Sequence, residues 1–409
     1  MTNLLKSPSG GNSVLISGAG LAGPALAHWL RRYGFEPTVV ERAPALRDGG
    51  YKVDVRGAAT EVLKRMGVYP RARALDTGMR HITYVRGDGR PIATLDANLL
   101  MGRRGDDLEI MRTDLSRVMH DATAGEVEYV FGDTITAMHE AADGVDVTFG
   151  SGVRRRFSLV VGADGLHSAT RRLAFGEVPL THLGAYISIF TVPNHLRLDR
   201  EEVFHVAPGR MVFAYAGGPD EDARVGLTLA SPELPRLSKS EQKDLLRSAF
   251  GHLGWAVPRF LEALQDADDL YFDALSQVEM PRWSAGRVAL IGDAAHCPAP
   301  ASGQGTSLAL VGAYVLAGEL AAARGDHARA FPAYERAMRP YVEKNLAFGR
   351  KMAADMVPGG RLAIALRHYG MRTLKYHPRK ERVIERVLRP LHEAANAIAL
   401  RDYDTIEVG

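Results

Sequence analysis

Disulfides are excluded in this chain, because its 409 residues include one cysteine, Cys297. A reducing compartment such as the cytoplasm suits a sequence of that kind. The chain also lacks a block of basic residues, since its net charge is +3. The short run Arg154, Arg155 and Arg156 is typical of a solvated strand end, so we expect no nucleic-acid partner.

No apolar run is long enough and clean enough to predict a membrane span. The longest candidate, residues 308–323, is interrupted by Gly312, Gly318 and Glu319, which favours a buried helix. Residues 1–12 are polar and lack the apolar core of a signal peptide, so they predict a flexible N-terminus. A hydrophobic fraction of 46% with 24% charged residues is ordinary for a globular protein.

The order of apolar segments predicts an α/β fold with a parallel sheet. Residues 13–17 (SVLIS) and 37–41 (PTVVE) suit buried strands, and residues 24–33 between them have helical periodicity. Residues 184–230 alternate instead, which predicts a second sheet. A chain of this length is too long for a single hydrophobic core, so we expect more than one domain. We expect a Rossmann-like nucleotide-binding domain from residues 13–75, 101–180 and 285–330, an inserted sheet-based domain from 76–100 and 181–284, and C-terminal helices from 331–409.

Residues 18–23 (GAGLAG) match the G-x-G-x-x-G pattern of dinucleotide-binding turns. Gly18 permits the tight turn, Gly20 lets the backbone approach a pyrophosphate, and Gly23 lets helix and strand pack closely. The helix that follows offers free N–H groups and the positive end of its dipole to phosphates. Glu41 ends the next strand, where it can accept hydrogen bonds from a ribose and would repel a 2′-phosphate. This site is therefore predicted to bind NAD or FAD.

Two later strands also end in motifs that place an aspartate at the sheet edge. Asp164 lies in GADG (162–165), which by itself is a turn signal, and Ser168 after it suits a helix N-cap. Asp293 follows an apolar strand, where a carboxylate can hold the hydroxyls of a polyol. Backbone N–H groups of Gly303, Gln304 and Gly305 precede a helix and suit an electron-rich ring edge. A Pro/Gly loop with a capping aspartate remains the alternative interpretation.

Together these motifs resemble the FAD-dependent aromatic hydroxylases, the class A flavoprotein monooxygenases of the para-hydroxybenzoate hydroxylase type. The three fingerprints occur in order, as GAGLAG followed by Glu41-Arg42, GADGLHSATR (162–171) and RVALIGDAAHCPAPASGQG (287–305). The likeness extends over residues 14–320. GGYKVD (49–54) and the short C-terminus look most like the tetracycline-inactivating enzymes and their relatives that act on antibiotics and polyketides.

The resemblance implies non-covalent FAD and assigns each motif to one part of it. It also implies that the nucleotide-binding domain is the FAD-binding domain and that the inserted sheet is the substrate-binding domain. The ADP half would contact Gly18, Gly20, Leu21, Ala22, Gly23 and Glu41, with Arg42 beside the adenosine. The ribityl chain and pyrophosphate would contact Arg112 and Asp293, and Asp164 lies in the motif tied to both FAD and NAD(P)H. The isoalloxazine would contact Pro300, Gly303, Gln304, Gly305 and Thr306. Where many members have an asparagine and then an acidic pair, this chain has Ser307, Val311 and Gly312, so the asparagine contact is in doubt and Ser307 is its partial substitute.

The resemblance further implies a reaction in which NAD(P)H binds transiently, oxygen adds at flavin C4a, and one oxygen atom hydroxylates or epoxidises an aromatic or polyketide-like substrate. The cofactor carries the chemistry, so we assign no catalytic side chain and no metal. Alternatives are another flavin oxidoreductase, such as a dehydrogenase, reductase or halogenase, and a catalytically silent flavin-binding protein. We expect a monomer or homodimer.

Candidate substrate contacts come mainly from the strand-rich insert, although a plain sheet core explains its residues about as well. They are Tyr186, Phe190, His205, Phe213 and Tyr215, joined by Pro298 of the third motif. His296 is interpreted as a residue that positions its loop rather than as a general base. Cys297 is interpreted as a small buried hydrophobe rather than as a covalent flavin link.

Overall fold

The computed structural model describes residues 12–46, 50–374 and 376–404. The predicted flexible N-terminus lies outside these residues except for Asn12, and Gly49 of the GGYKVD motif lies outside them too.

Within the described residues, runs of strands are separated by helices, and the chain ends in a run of helices. In chain order the strands are β1 (Ser13–Ser17), β2 (Glu36–Glu41), β3 (Lys52–Val55), β4 (His81–Val85), β5 (Pro91–Asp96), β6 (Leu108–Met111), β7 (Glu128–Phe131), β8 (Ile135–Ala141), β9 (Gly144–Phe149), β10 (Arg154–Phe157), β11 (Leu159–Gly162), β12 (Thr181–Val192), β13 (Glu201–Ala207), β14 (Arg210–Ala216), β15 (Ala223–Ala230), β16 (Tyr271–Gln277), β17 (Ser284–Ala285) and β18 (Val288–Leu290). The helices are α1 (Ala22–Arg32), α2 (Ala58–Arg65), α3 (Tyr69–Ala74), α4 (Ala97–Met101), α5 (Arg112–Asp121), α6 (Ala169–Phe175), α7 (Lys239–Phe250), α8 (Val257–Asp266), α9 (Asp293–His296), α10 (Gly305–Ala322), α11 (His327–Met356), α12 (Arg361–Leu374) and α13 (Lys380–Ala395), with a 3₁₀ turn at Pro300–Ser302.

The predicted α/β fold with a parallel sheet is confirmed. Six strands form one sheet in the order β17-β18-β11-β1-β2-β7, in which every pair except β17–β18 is parallel. All five residues of β1 are buried, as expected for a central strand covered on both faces. The carboxyl ends of β1, β11 and β18 therefore meet at one edge of the sheet, where the three sequence motifs begin.

The second large sheet has the order β16-β12-β15-β14-β13-β4-β5 and takes its strands from residues 81–96 and 181–277. One of its faces packs against α7 and α8, with Phe190, Phe250 and Phe260 in the shared core. The other face carries Ile187 and Phe213 toward the parallel sheet. The domain limits given above remain our proposal.

Helix α10 is the helix of the described chain that is long and apolar enough to cross a membrane. In this fold, however, 78% of it is buried inside the protein. It packs between α1 and α11 and contacts α2 as well, which is the environment of a core helix.

Candidate active site

A cavity of about 310 Å³ lies between the carboxyl edge of the parallel sheet and the open face of the seven-stranded sheet. Backbone from all three sequence motifs forms one side of it, and aliphatic and aromatic side chains form the other. The residues that line it include Gly20, Leu21, Ala22, Tyr51, Lys52, Asp54, Arg112, Ala163, Gly165, Leu166, Ile187, Ile189, Glu202, Phe213, Tyr215, Tyr271, Asp293, Cys297, Pro298, Pro300, Gly303, Gly305 and Thr306.

The glycine turn of the first motif has the geometry that its sequence predicts. Gly18 has φ +108°, and a Cβ there would lie 2.6 Å from the Ala163 carbonyl oxygen. A Cβ at Gly23 would lie 1.9 Å from the Gly18 carbonyl oxygen, so the helix can approach the strand only without a side chain. Gly20 instead faces the cavity, with Nη2 of Arg112 the nearest atom to such a Cβ at 3.5 Å.

The start of α1 leaves the phosphate-binding groups available. No side chain caps this helix end at Leu21, so its first N–H groups can be donated to an anion. The Glu41 carboxylate accepts hydrogen bonds from the N–H groups of Ala19 and Ala43, each at 2.9 Å. These bonds hold the carboxylate beside the turn, where it retains lone pairs for a ribose. Arg42 next to it is exposed.

Asp164 stabilises the start of α6, whose N-cap is Ser168. Its carboxylate accepts hydrogen bonds from the Ser168 hydroxyl, from the Thr170 N–H at 2.9 Å and from the Thr170 hydroxyl at 3.0 Å. The residues around it, Ala163, Gly165 and Leu166, reach the cavity, whereas Asp164 does not line it. The side chain therefore shapes the turn whose backbone faces the cofactor site.

Asp293 points a half-buried carboxylate into the same cavity. Burial raises the pKa of this carboxyl group, and a hydrogen bond from the Cys297 thiol and the charge of Arg112 only partly offset that effect. The backbone at Gly303 and Gly305 has open space beside it. Within 4 Å, a Cβ at Gly303 would meet only an Asp54 carboxylate oxygen, at 3.6 Å, and a Cβ at Gly305 would meet only an Asp293 carboxylate oxygen, at 3.5 Å. A half-buried acceptor beside open glycine backbone suits a polyol chain that leads to a flat ring system.

The rest of the third motif divides between the cavity and the core. Pro300 and Thr306 line the cavity, whereas Gln304 is fully buried and its side-chain amide has no hydrogen-bond partner among the described residues. Ser307 is also buried, and its hydroxyl accepts a hydrogen bond from the Arg56 N–H at 3.3 Å. That contact indicates that Ser307 holds the backbone segment around Arg56 in place.

A network of buried charges, which the sequence did not predict, forms the polar end of the cavity. Lys52 Nζ lies 2.8 Å from Glu202 Oε2 and 3.1 Å from Glu109 Oε2. Arg103 contacts the same Glu109 oxygen and lies 3.2 Å from Asp54. Three cations and three anions balance once Arg56, which is 2.9 Å from Asp54, is included.

Electrostatics within this network follow from burial and pairing. Burial raises the pKa of Glu202, and the nearby Lys52 only partly offsets that effect. Burial alone would raise the pKa of Asp54, but Arg56 and Arg103 bring it below its ordinary value. The sequence signal that could have indicated this network is the K-x-D pattern of Lys52 and Asp54 in β3, because residues two apart on a strand place their side chains on the same face.

The apolar wall of the cavity explains some of the predicted substrate contacts. Phe213 and Tyr215 line the cavity together, with ring centroids 6.4 Å apart and ring planes 9° apart. Ile187, Ile189 and Tyr271 extend this wall, and Pro298 lies on the opposite side in the third motif.

Three other predicted substrate contacts lie on the far face of the same sheet. Tyr186 and Phe190 alternate with Ile187 and Ile189 along β12, so they point away from the cavity. The Tyr186 hydroxyl accepts a hydrogen bond from the Leu234 N–H at 2.7 Å, and Nδ1 of His205 lies 3.2 Å from the Val85 carbonyl oxygen. The structure does not bring these three residues to the cavity wall.

His296 and Cys297 have the roles expected of buried loop residues. Burial lowers the pKa of His296 to about 3, so the ring is neutral at physiological pH, and Nε2 lies 3.3 Å from the Tyr334 hydroxyl. The ring packs edge-on against Trp283 and lines a separate cavity of about 280 Å³ behind the loop. Burial also raises the pKa of the Cys297 thiol, which keeps it protonated and a poor nucleophile.

An ion pair joins the second motif to the seven-stranded sheet and gives a pH-dependent prediction. Nε2 of His167 lies 3.1 Å from the Asp273 carboxylate, and this hydrogen bond raises the pKa of His167 above 6.5. A raised histidine pKa stabilises the fold at pH values below 6.5, and the contribution is lost as the pH rises through the raised value. Because the histidine is exposed, we expect His167→Gln to lower stability by about 0.2–1 kcal/mol at pH 5.5. Thermal denaturation at pH 5.5 and 8.5 checks this, since an equal loss at both would contradict it.

Comparison with known proteins places this site in a family. Residues 12–207 and 268–349 match the family described as the FAD binding domain. A flavin-dependent monooxygenase from Legionella longbeachae is 40% identical over 340 residues, which cover 82% of this chain and 87% of that protein. The crystal structure of the tetracycline destructase Tet(55) superimposes with a TM-score of 0.83 at 36% identity, over 98% of this chain and 100% of that one.

A further structure supports the fold. Klebsiella pneumoniae HpxO, solved with FAD and uric acid, gives a TM-score of 0.74 at 22% identity, over 95% of this chain and 98% of that chain. The fold and the site thus define an FAD-binding oxidoreductase. The chain belongs to the class A flavin-dependent monooxygenases, and its cofactor is FAD.

Proposed function

We propose that this monooxygenase uses NAD(P)H and O2 to insert one oxygen atom into a polycyclic aromatic or polyketide-like substrate. The observation that carries the proposal is the single cavity shared by the flavin-type motifs and the apolar wall. Asp293, Gly303 and Gly305 lie on one side of this space, and Ile187, Phe213 and Tyr215 lie on the other. A flat substrate held against that wall would lie beside the ring of the bound cofactor.

The protein's own residues would bind, orient and shield. Bound FAD would supply the redox chemistry, which is hydride acceptance from NAD(P)H and activation of O2. One oxygen atom enters the substrate and the other leaves as water, with NAD(P)H providing two electrons and a solvent proton completing the balance. The aliphatic and aromatic wall would exclude bulk water from this space. We therefore assign Arg112, Asp293 and the glycine turns to FAD, and Phe213, Tyr215 and Pro298 to the substrate.

The charges at one end of the cavity support a substrate with a polar edge. Lys52, Asp54 and Glu202 all line the cavity and offer both hydrogen-bond donors and acceptors. A fused ring system that carries hydroxyl and carbonyl groups along one edge would match this arrangement, with its bare face on Ile187 and Phe213. Tetracycline is such a compound, and Tet(55) is described as a tetracycline destructase, so tetracyclines are the first substrates to test.

The decisive experiment is a screen for NAD(P)H oxidation that substrate stimulates, followed by oxygen labelling. Purified holoenzyme would be mixed with tetracyclines, anthraquinones and simple phenols, and NADH and NADPH oxidation would be compared. Products formed under ¹⁸O2 should gain one labelled atom by mass spectrometry. Substrate turnover without label would indicate a dehydrogenase or reductase. Failure of NADH and NADPH to reduce the flavin in stopped-flow measurements, even with substrates present, would indicate a silent flavin-binding protein.

The position of the Phe213 ring in the cavity wall gives a further prediction. Gly226 in β15 pairs with Phe213, and a Cβ at Gly226 would lie 1.9 Å from Cζ of the phenyl ring. Gly226→Ala should force this ring from its place, lower stability by about 1–3 kcal/mol and weaken substrate binding while leaving FAD binding unchanged. Urea denaturation and an FAD titration measure the two effects.

A double-mutant cycle tests the cause. Because Phe213→Leu removes the ring that Gly226 accommodates, Gly226→Ala should cost much less in that background. An equal loss of stability in both backgrounds would show that Phe213 is not the residue displaced.

A further inference from the structure

The last two described helices carry most of the large apolar side chains that the structure leaves in solvent. On α12, Leu362, Leu366 and Tyr369 are 74%, 62% and 68% exposed, and Tyr376 beyond it is 78% exposed. On α13, Val387 is 71% exposed and Val383 is 41% exposed. Among the described residues, the other exposed large hydrophobic side chains are those of Leu75 and Leu173, which are 41% and 39% exposed. We call the six exposed side chains of residues 362–387 the C-terminal apolar surface.

On α12 these side chains form one stripe, because positions 362, 366 and 369 follow the i, i+4, i+7 spacing of a helix face. The opposite side of the helix carries Ile364, which is 8% exposed and packs in the same cluster as Ile187 and Phe213. Helix α12 thus has one apolar face toward the cavity-lining sheet and a second apolar face toward solvent. A surface helix of a globular protein ordinarily has an apolar face only toward the core, and its solvent face is polar.

Helix α13 repeats this arrangement. Ile384 and Leu391 are buried, whereas Val383 and Val387 lie one turn apart on an exposed strip. Exposed arginines flank that strip at Arg382 and Arg386. The two helices therefore present apolar side chains bordered by cations.

Charge is unevenly distributed along the chain. Residues 361–395 contain nine lysines and arginines against three glutamates, whereas the whole chain has a net charge of only +3. Arg372 at the end of α12, and Arg379 and Lys380 at the start of α13, are exposed beside the apolar strips. A cationic amphipathic surface with exposed leucine and tyrosine is typical of proteins that lie on a membrane surface.

We propose that the C-terminal apolar surface docks on an anionic lipid bilayer, with its leucine, tyrosine and valine side chains at the acyl boundary and its arginines at the phosphates. A second copy of this surface would be a poor occupant, because a two-fold contact would bring two strongly cationic segments together. An anionic bilayer provides the opposite charge and an apolar layer at once. Docking is peripheral and requires no spanning helix.

Docking would place α12 between the lipid and the substrate cavity. Apolar compounds that partition into the bilayer would then be concentrated near the cavity, a consequence that rests on the proposed function. The docking itself is measured without turnover, so the two proposals can fail independently.

Co-sedimentation of the full-length holoenzyme with vesicles tests the proposal. We expect binding to phosphatidylcholine vesicles that contain phosphatidylglycerol, little binding to phosphatidylcholine alone, and weakening by salt. Leu366→Glu and Tyr369→Glu should each weaken binding about tenfold or more, because each places a charge at the acyl boundary. Arg382→Gln and Arg386→Gln should each weaken it about fivefold.

Leu75→Glu is the matched control, since Leu75 is exposed but lies outside the surface, and it should bind vesicles as the parent does. FAD content and melting temperature should be unchanged in all five variants, because the replaced side chains are exposed. Absence of binding to the anionic vesicles would overturn the proposal, as would equal binding of Leu366→Glu and the parent. A concentration-dependent dimer that Leu366→Glu dissociates, without vesicle binding, would assign the surface to a second copy. Binding to polyglutamate but not to vesicles would assign it to an acidic protein.

Discussion

The Asp293→Ala protein is expected to lose FAD affinity by roughly ten- to a hundredfold. This change removes a half-buried carboxylate that would accept hydrogen bonds from ribityl hydroxyls, a contribution of about 1.5–3 kcal/mol. Burial already raises the pKa of Asp293 despite the Cys297 thiol and the Arg112 charge, so hydrogen bonds from the bound cofactor would stabilise its charged form. Fluorescence titration of the apoprotein with FAD measures the loss directly.

Two variants separate this contact from a general loss of stability. Asp293→Asn keeps an acceptor oxygen in the same place and should retain most of the affinity. Asp133→Ala removes a turn aspartate that accepts hydrogen bonds from Thr134 and Ser151 in the β7–β8 region, and it should leave FAD affinity unchanged. Equal FAD affinity in Asp293→Ala and the parent would reduce the third motif to a capped loop.

The parallel sheet and its glycine turn could be predicted from the sequence because backbone chemistry dictates them locally. Gly18 requires a positive φ and Gly23 requires the absence of a Cβ, and both requirements are visible in a single short motif. The same logic applies to Asp293 at the end of an apolar strand. In each case the residues that matter are neighbours in sequence, so no long-range contact has to be known.

The substrate side of the cavity could be predicted only in part. Alternation shows that Phe213 and Tyr215 share a face, but it does not say which face of the sheet meets the cavity, and Tyr186 and Phe190 lie on the other one. The choice depends on how the two sheets pack, which is a tertiary property.

The buried charges were missed for a related reason. Lys52, Glu109 and Glu202 come from three separate strands, so their contact appears only after β3, β6 and β13 have been brought together. For Asp164 the sequence motif could be recognised, but the contacts of its side chain could not be predicted. Its partners Ser168 and Thr170 hold its carboxylate at the start of α6 and not in the cavity.

Replacing Lys52 with methionine is expected to lower the free energy of unfolding by about 3–5 kcal/mol near neutral pH. Methionine keeps much of the aliphatic volume but removes the cation that pairs with Glu109 and Glu202, and an uncompensated buried charge is strongly destabilising. The Lys52 side chain is only 12% exposed and the two glutamates only 4%, so water would replace the lost cation only in part. Urea denaturation of the holoenzyme at pH 7 measures the loss.

The pH dependence and a rescue identify the charge as the cause. Glu202 already has a pKa above its ordinary value, and removing Lys52 should raise it further. A carboxyl group with a raised folded pKa makes the fold less stable as the pH rises from 4.5 through that value, so the Lys52→Met defect should shrink toward pH 5 and grow toward pH 8. The double variant Lys52→Met/Glu202→Gln restores a balance of two cations and two anions, and it should recover most of the loss. A defect that is independent of pH and unchanged in the double variant would attribute the effect to side-chain packing and would remove the argument that charge balance holds this end of the cavity together.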